Sequence, residues 1–346
     1  MSSRRRNPLW ARHSDAQLLR LRFRDLHLGP PRRATLQRAI ARLQTELAAR
    51  AICIEPHYWF ADEWFSPDGV PGIAIPFYLA HRRLERLERR MARSVEGGNA
   101  TGLMRILRHE AGHVVDTAFR LRRRKLWRQT FGPPSTAYPE GYAADPGSTA
   151  FVRHLDGWYA QAHPAEDFAE TFAVWLAPRS AWRRRYAGTA ALVKLEVMDR
   201  LMHDIADRRP PVRSAHRIEP VAANELTLRE HYRRSLQRRQ QGDFSLIDRA
   251  LTGGFTALRP AGRRGSARRA ETCLRGLRAA LVRHAVARTP IDEYGARQLV
   301  QLAIERCHER QLWLRGTAPQ RRAKAEAMVR RLARASLRDG RIGFTL

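Results

Sequence analysis

His109 and His113 stand four residues apart, with Glu110 directly after the first, in the run Arg108-His109-Glu110-Ala111-Gly112-His113-Val114-Val115-Asp116. On an α-helix, positions four apart share a face, so both imidazoles can aim at one point while the Glu110 carboxylate lies beside it. Imidazole nitrogen suits zinc, and a catalytic zinc typically keeps three protein ligands and a water. H-E-x-x-H therefore supplies two ligands and a base able to take a proton from that water. A third ligand has to come from elsewhere in the chain.

The metzincin spacing does not provide it. Six residues after His113 stands Phe119, and the glycine of that pattern is replaced by Asp116. The segment His163-Pro164-Ala165-Glu166-Asp167-Phe168-Ala169-Glu170-Thr171-Phe172 does offer one. Pro164 suits a first helical turn, acids favour a helix N-terminus, and Phe168, Phe172 and Leu176 repeat at four. Glu166 and Glu170 then share a face. Glu166 is assigned as the ligand, and Glu170, a turn later, as the carboxylate that takes the free N–H of a ligand histidine and fixes its tautomer. His154 and His163 are rival ligands, but neither has a helical partner placed like Glu170, and a three-histidine site would leave the paired glutamates without a purpose. Asp116, one turn beyond His113, is a further candidate for supporting a ligand.

Taken together, H-E-x-x-H followed some fifty residues later by E-x-x-x-E resembles the gluzincin metallopeptidases. Glu166-Asp167-Phe168-Ala169-Glu170 is similar to a segment of the anthrax lethal factor protease domain. More of the chain, from about Leu18 to Leu201, resembles a bacterial family of zinc-binding metallopeptidases of largely unknown biological role. The phrases that carry this are Glu63-Trp64-Phe65-Ser66-Pro67, Pro71-Gly72-Ile73-Ala74-Ile75-Pro76-Phe77-Tyr78-Leu79, Leu107 to His113, and Trp158-Tyr159-Ala160-Gln161 running into the Glu166 segment. The resemblance implies one zinc on His109, His113 and Glu166, Glu110 as catalyst, and a peptide or protein substrate. Tyr159 stands seven residues before Glu166, as a tyrosine does before the glutamate ligand of lethal factor, and a phenol there can donate to the oxyanion of a tetrahedral intermediate. Tyr138 and Tyr142, in the loop-like stretch 131–149, are its rivals.

These side chains need a scaffold. Leu103, Ile106, Leu107, Glu110, Val114, Thr117 and Leu121 have helical spacing, with Asn99 or Thr101 as cap and Arg120 to Arg128 as a basic continuation. Ala51 to Phe60 and Gly72 to Leu79 turn β-branched and aromatic, which predicts two strands with Pro67-Asp68-Gly69 as a turn between them. Pro76 is best tolerated on a sheet edge. Gly72, Ile73, Ala74 and Ile75 are thus candidates for binding an extended peptide as an added strand, unless the protein covers that edge itself. The expected class is α+β: a zincin-like domain of a small sheet with an edge strand and active-site helices, then a mostly helical basic domain.

The second part follows from charge and punctuation. The break Arg208-Arg209-Pro210-Pro211 suggests a boundary, with a metallopeptidase domain over 1–210 and an Arg-rich helical domain over 211–346. The latter holds 29 basic residues against 12 acidic ones, whereas 1–210 holds 35 against 22, so positive charge per residue roughly doubles. Helices are expected from the capping box Thr227-x-x-Glu230 to about Gln241, and over Ser266 to Arg288, Ile291 to Glu309 and Pro319 to Arg338, with a Gly/Arg-rich linker from Gly253 to Ser266. The net charge of +30 comes almost wholly from arginine, since Lys125, Lys194 and Lys324 are the only lysines. It implies weak, non-specific attraction to nucleic acid, although no helix-turn-helix, zinc finger or aromatic RNA-binding signature is present. Cys53, Cys273 and Cys307 are widely spaced and indicate neither a disulfide framework nor a zinc ribbon. The opening residues lack the apolar run of a signal peptide and no stretch is long enough for a membrane span, so a cytoplasmic protein is expected. The competing reading is a basic nucleic-acid- or protein-binding regulator whose zinc site is structural or silent.

Overall fold

The computed structural model describes residues 7–257, 267–338 and 340–345. Residues 1–6 of the basic start and 258–266 of the expected linker lie outside them. The chain divides into two compact units: Met1–Tyr138, Ala150–Leu155 and His163–Gln240 make the first, and Pro139–Thr149, Asp156–Ala162 and Gln241–Leu346 the second.

The first unit contains α1 (Asp15–Leu18), α2 (Ala34–Ala48), β1 (His57–Ala61), β2 (Gly72–Pro76), α3 (Arg82–Met91), α4 (Ala100–Phe119), α5 (Lys125–Phe131), α6 (Pro164–Leu176), α7 (Trp182–Arg185), α8 (Ala190–Ile205) and α9 (Leu228–Gln240). Helix α4 starts where the Asn99 side chain accepts the Gly102 N–H at 2.9 Å, which satisfies one of the free donors of the first turn. From Leu107 to Phe119 every residue of it is buried, so it is the central helix of the unit. It stops at Arg120, which adopts a left-handed conformation with φ 52°. The basic continuation expected over 120–128 is therefore interrupted: a 3-10 turn (Leu121–Arg123) and the separate helix α5 follow. The Asp116 carboxylate takes the Arg122 N–H at 2.9 Å and folds the chain back.

Strands β1 and β2 are parallel, with Tyr58 opposite Ile73 and Phe60 opposite Ile75. The turn at Pro67-Asp68-Gly69 thus belongs to a longer crossover, because parallel neighbours cannot be joined by a tight hairpin. Ile73, Ala74 and Ile75 are fully buried, and on the side away from β1 the Ala74 N–H is donated to Phe65 O at 2.9 Å. At that point the protein's own chain occupies the edge considered for a substrate.

Residues 211–240 pack within the first unit, although the sequence suggests a boundary at 210. Phe23 N–H bonds to Leu226 O at 3.0 Å and Leu228 N–H to Leu21 O at 2.9 Å, and the Tyr232 hydroxyl donates to Glu88 of α3 at 2.9 Å. The proline-rich break after α8 ends a helix and does not end the compact unit.

The second unit comprises β3 (Gly141–Ala144), α10 (Ser245–Leu251), β4 (Phe255–Thr256), β5 (Ala267–Arg269), α11 (Ala270–Arg288), α12 (Glu293–Glu309), β6 (Trp313–Arg315), α13 (Ala318–Arg338) and β7 (Ile342–Thr345). Leu274 and Leu281 of α11, Leu299 and Ile304 of α12, and Met328 and Leu332 of α13 form its buried centre. Unexpected are a three-stranded antiparallel sheet in the order β4-β6-β5 and a β3–β7 ladder, whose strands of two to four residues are too short to show a period. The molecule is thus a mixture of helices with small sheets, and no helix among the described residues is long and apolar enough to cross a membrane.

Candidate metal centre

Helices α4 and α6 approach unusually closely, because Gly112 presents no side chain to Ala169. A β-carbon there would lie 2.8 Å from Ala169 Cα. This brings one turn of α4, with His109 and His113, against the first turn of α6, with Glu166. Helix α6 itself is fixed by His163, whose Nδ1 accepts the Ala165 N–H at 3.1 Å ahead of Pro164 in the first turn.

Three potential ligand atoms converge. His109 Nε2 and His113 Nε2 are 3.2 Å apart, and Glu166 Oε2 lies 3.1 Å from the first and 3.2 Å from the second. Tetrahedral zinc with bonds of about 2.0–2.1 Å sets its ligand atoms roughly 3.3–3.4 Å apart. The triangle therefore has the size of one face of such a site, and its donor set of two imidazoles and a carboxylate is one that zinc accepts. All three residues are buried, with 3%, 9% and 4% of their surface exposed, so little water competes for these atoms.

The surroundings favour a cation. Glu170, fully buried, places Oε1 2.9 Å from His109 Nδ1 and accepts the Leu155 N–H on Oε2 at 2.8 Å. Donation from Nδ1–H to the carboxylate leaves the lone pair on Nε2, facing the other two ligand atoms. Burial pushes the His109 imidazole down, but hydrogen bonds and charges from Glu166 and Glu170 outweigh it and hold its pKa well above the ordinary value. Burial likewise pushes Glu166 up, and the two histidines hold it well below the usual carboxylate range. Two carboxylates around two imidazoles in a dry place stabilise whatever positive charge sits among them.

Glu110 is buried beside this cluster and hydrogen-bonded to the loop before β2: the Ser66 hydroxyl lies 2.9 Å from Glu110 Oε2. Burial raises its pKa, against the opposing charges of His109 and His113 and the Ser66 hydrogen bond. The other candidates are placed as follows. His154 donates Nε2–H to Arg105 O at 2.9 Å, and His163 uses Nε2 on Thr136 O at 2.9 Å as well as Nδ1 on its helix cap. Neither joins the ligand triangle. Asp116 accepts Arg122 N–H and Nε–H on its two oxygens. The Tyr138 hydroxyl donates to Glu166 Oε1 at 2.9 Å, and its ring stacks on His163 with centroids 3.8 Å apart. Tyr142 and Tyr159 belong to the second unit, where the Tyr142 hydroxyl donates to Gly157 O at 2.9 Å. Sequence reasoning gave no role to Ser66, which is 44 residues from its partner and has no periodic relation to it.

Residues 83–233 match the family described as putative zinc-binding metallo-peptidase. This agrees with the zinc-binding metallopeptidase family that the sequence resembles, and the matched segment spans α4 and α6 with His109, Glu110, His113, Glu166 and Glu170. The phrases at 63–67 and 71–79 precede it. No curated protein and no solved structure matches the chain.

Proposed function

We propose that this protein is a zinc-dependent metallopeptidase of the gluzincin kind, with a zincin-like first unit, and that it hydrolyses peptide bonds within a peptide or protein chain. The observation that carries the reading is the meeting of His109 Nε2, His113 Nε2 and Glu166 Oε2 at 3.1–3.2 Å from one another. Zinc bound by these three residues would polarise the scissile carbonyl and lower the pKa of the attacking water. Glu110 takes the proton of that water and delivers it to the leaving amine, a task suited to a carboxylate whose pKa burial raises above the ordinary carboxylate value. Glu170 holds His109 in the ligating tautomer, and Tyr138 holds the second oxygen of Glu166, so that Glu166 offers one oxygen to the metal. Tyr159, by its spacing from Glu166, is the proposed donor to the oxyanion.

Metal analysis combined with two variants tests the reading. Glu110→Gln should keep about one zinc per chain and lose hydrolysis of a peptide substrate, since it removes the base and no ligand. Glu166→Ala should lose the metal. Hydrolysis that persists in Glu110→Gln rejects the base, and undiminished zinc affinity in Glu166→Ala rejects the ligand set.

A further inference from the structure

The crossover between β1 and β2 reaches the candidate base directly. We propose that Ser66 is the positioning residue of Glu110: its hydroxyl fixes the carboxylate through Oε2 and leaves Oε1 as the oxygen that takes the proton. This rests on the reading of Glu110 as general base. Ser66 Oγ lies 2.9 Å from Glu110 Oε2 and 3.3 Å from the Glu110 carbonyl oxygen, so one hydroxyl sits at a fork between the side chain and backbone of a single residue. Glu110 Oε1 has no hydrogen-bond partner among the described residues. The terminal torsion of a glutamate is broad and nearly two-fold. Without an anchor the two oxygens exchange, and with one they are distinguished.

An anchor is useful only if it is itself held, and Ser66 is. Pro67 follows it, which confines the Ser66 backbone to extended conformations. Phe65, just before it, accepts the Ala74 N–H at 2.9 Å and packs its ring against Trp59, Ala61 and Ala74. Further out, Glu63 is ion-paired with Arg238 and Asp68 with Arg122 at 2.7 Å. The same Arg122 binds the fully buried Asp116 through Nε at 2.8 Å. The chain Asp116–Arg122–Asp68 therefore ties the C-terminal turn of α4 to the strap that holds the base on the same helix. It gives Asp116 a place in the site without contact to a ligand histidine.

The test compares Ser66→Ala, Ser66→Thr, Glu110→Gln and the double variant Ser66→Ala/Glu110→Gln on one peptide substrate, with zinc content and melting temperature measured for each. Ser66→Ala should keep its zinc, its melting temperature and its KM while kcat falls about tenfold, a modest share of the 10²–10⁴-fold that a positioned base contributes. Ser66→Thr, which retains the hydroxyl, should recover kcat to within about threefold, and Ser66→Ala should add nothing to Glu110→Gln if it acts only through that carboxylate. A kcat for Ser66→Ala within twofold of wild type, with Glu110→Gln inactive, overturns the assignment and leaves the peptidase reading standing. So does a lower kcat accompanied by loss of zinc or of folded protein, because Ser66 would then be structural. Hydrolysis that survives in Glu110→Gln, or no hydrolysis by the wild-type protein, removes the peptidase reading and the Ser66 assignment together.

Discussion

Gly112 and Ala169 touch backbone to backbone: a β-carbon on Gly112 would come within 2.8 Å of Ala169 Cα and 3.1 Å of its carbonyl oxygen. The neighbour cannot rotate away, since both atoms belong to the main chain of α6. A single hydrogen at position 112 thus sets the separation of the two helices that carry the ligand triangle. Gly112→Ala should gain a few tenths to about 1 kcal/mol of helix propensity but lose about 1–3 kcal/mol to overpacking, and it should weaken zinc binding by pushing Glu166 off the histidines. Urea denaturation and zinc titration check this. A variant more stable than wild type with unchanged affinity would show that the contact is not tight.

Glu170 accepts two hydrogen bonds, one per oxygen, from His109 Nδ1 and Leu155 N–H. An amide has one accepting oxygen, so Glu170→Gln sets a donor against a donor in a buried place. The expected result is a 10–100-fold loss of zinc affinity in competition with a chromophoric chelator. Affinity within a factor of two of wild type would mean that His109 is oriented by packing alone.

What could be read from the sequence is what is local. The facing of His109 and His113 follows from a spacing of four, and the start of α6 from Pro164 and the acids behind it, with His163 supplying a cap. The relation of α4 to α6 is not local, and it is legible only because each segment carries a chemical half of one candidate site. The hydroxyls of Ser66 and Tyr138, the parallel pairing of β1 with β2 and the placing of 211–240 on residues 19–24 depend on which distant segments meet. No periodicity records that. The left-handed turn at Arg120 was hidden for another reason: arginine is not a residue whose presence announces positive φ, and the cause, a hydrogen bond back to Asp116, lies in the next element.

Arg108, next to His109, forms a two-pronged ion pair with Glu46 of α2, at 2.7 Å through Nε and 2.7 Å through Nη2. Its side chain is 10% exposed and that of Glu46 5%. Removing one partner strands the other charge in the interior, so Glu46→Ala should cost about 3–5 kcal/mol in urea unfolding. Replacing both by Leu and Met should cost much less. A loss below about 1 kcal/mol for Glu46→Ala would place the pair among surface bridges.

Two tyrosines should differ in what their loss does. Tyr138→Phe removes the donor to Glu166 Oε1 and should weaken zinc binding several-fold. Tyr159→Phe, as the proposed oxyanion donor, should leave zinc content unchanged and lower kcat by about 10²-fold or more. Equal kcat for Tyr159→Phe and wild type would pass the oxyanion role to another group.

His154 gives the fold a pH dependence of its own. It is half-buried, with Nε2–H bonded to Arg105 O, and desolvation pulls its pKa down to about 4, although the Glu170 charge opposes the shift. Above its ordinary value of 6.5 the imidazole is neutral in both native and unfolded chains, and it makes no pH-dependent contribution. Between 6.5 and 4 the unfolded chain binds a proton that the native protein refuses, so stability declines as pH falls, by about 1.4 kcal/mol per unit toward a total of about 3 kcal/mol. Below 4 the native imidazole is protonated too, and the decline from this group ends. Since acid also strips zinc from histidine ligands, the comparison belongs on metal-free protein. His154→Gln keeps a donor for Arg105 O and has nothing to titrate, so its stability should fall by about 3 kcal/mol less than that of wild type between pH 6.5 and 4. Parallel curves for the two proteins would mean that water reaches the imidazole and that its burial does not set its charge.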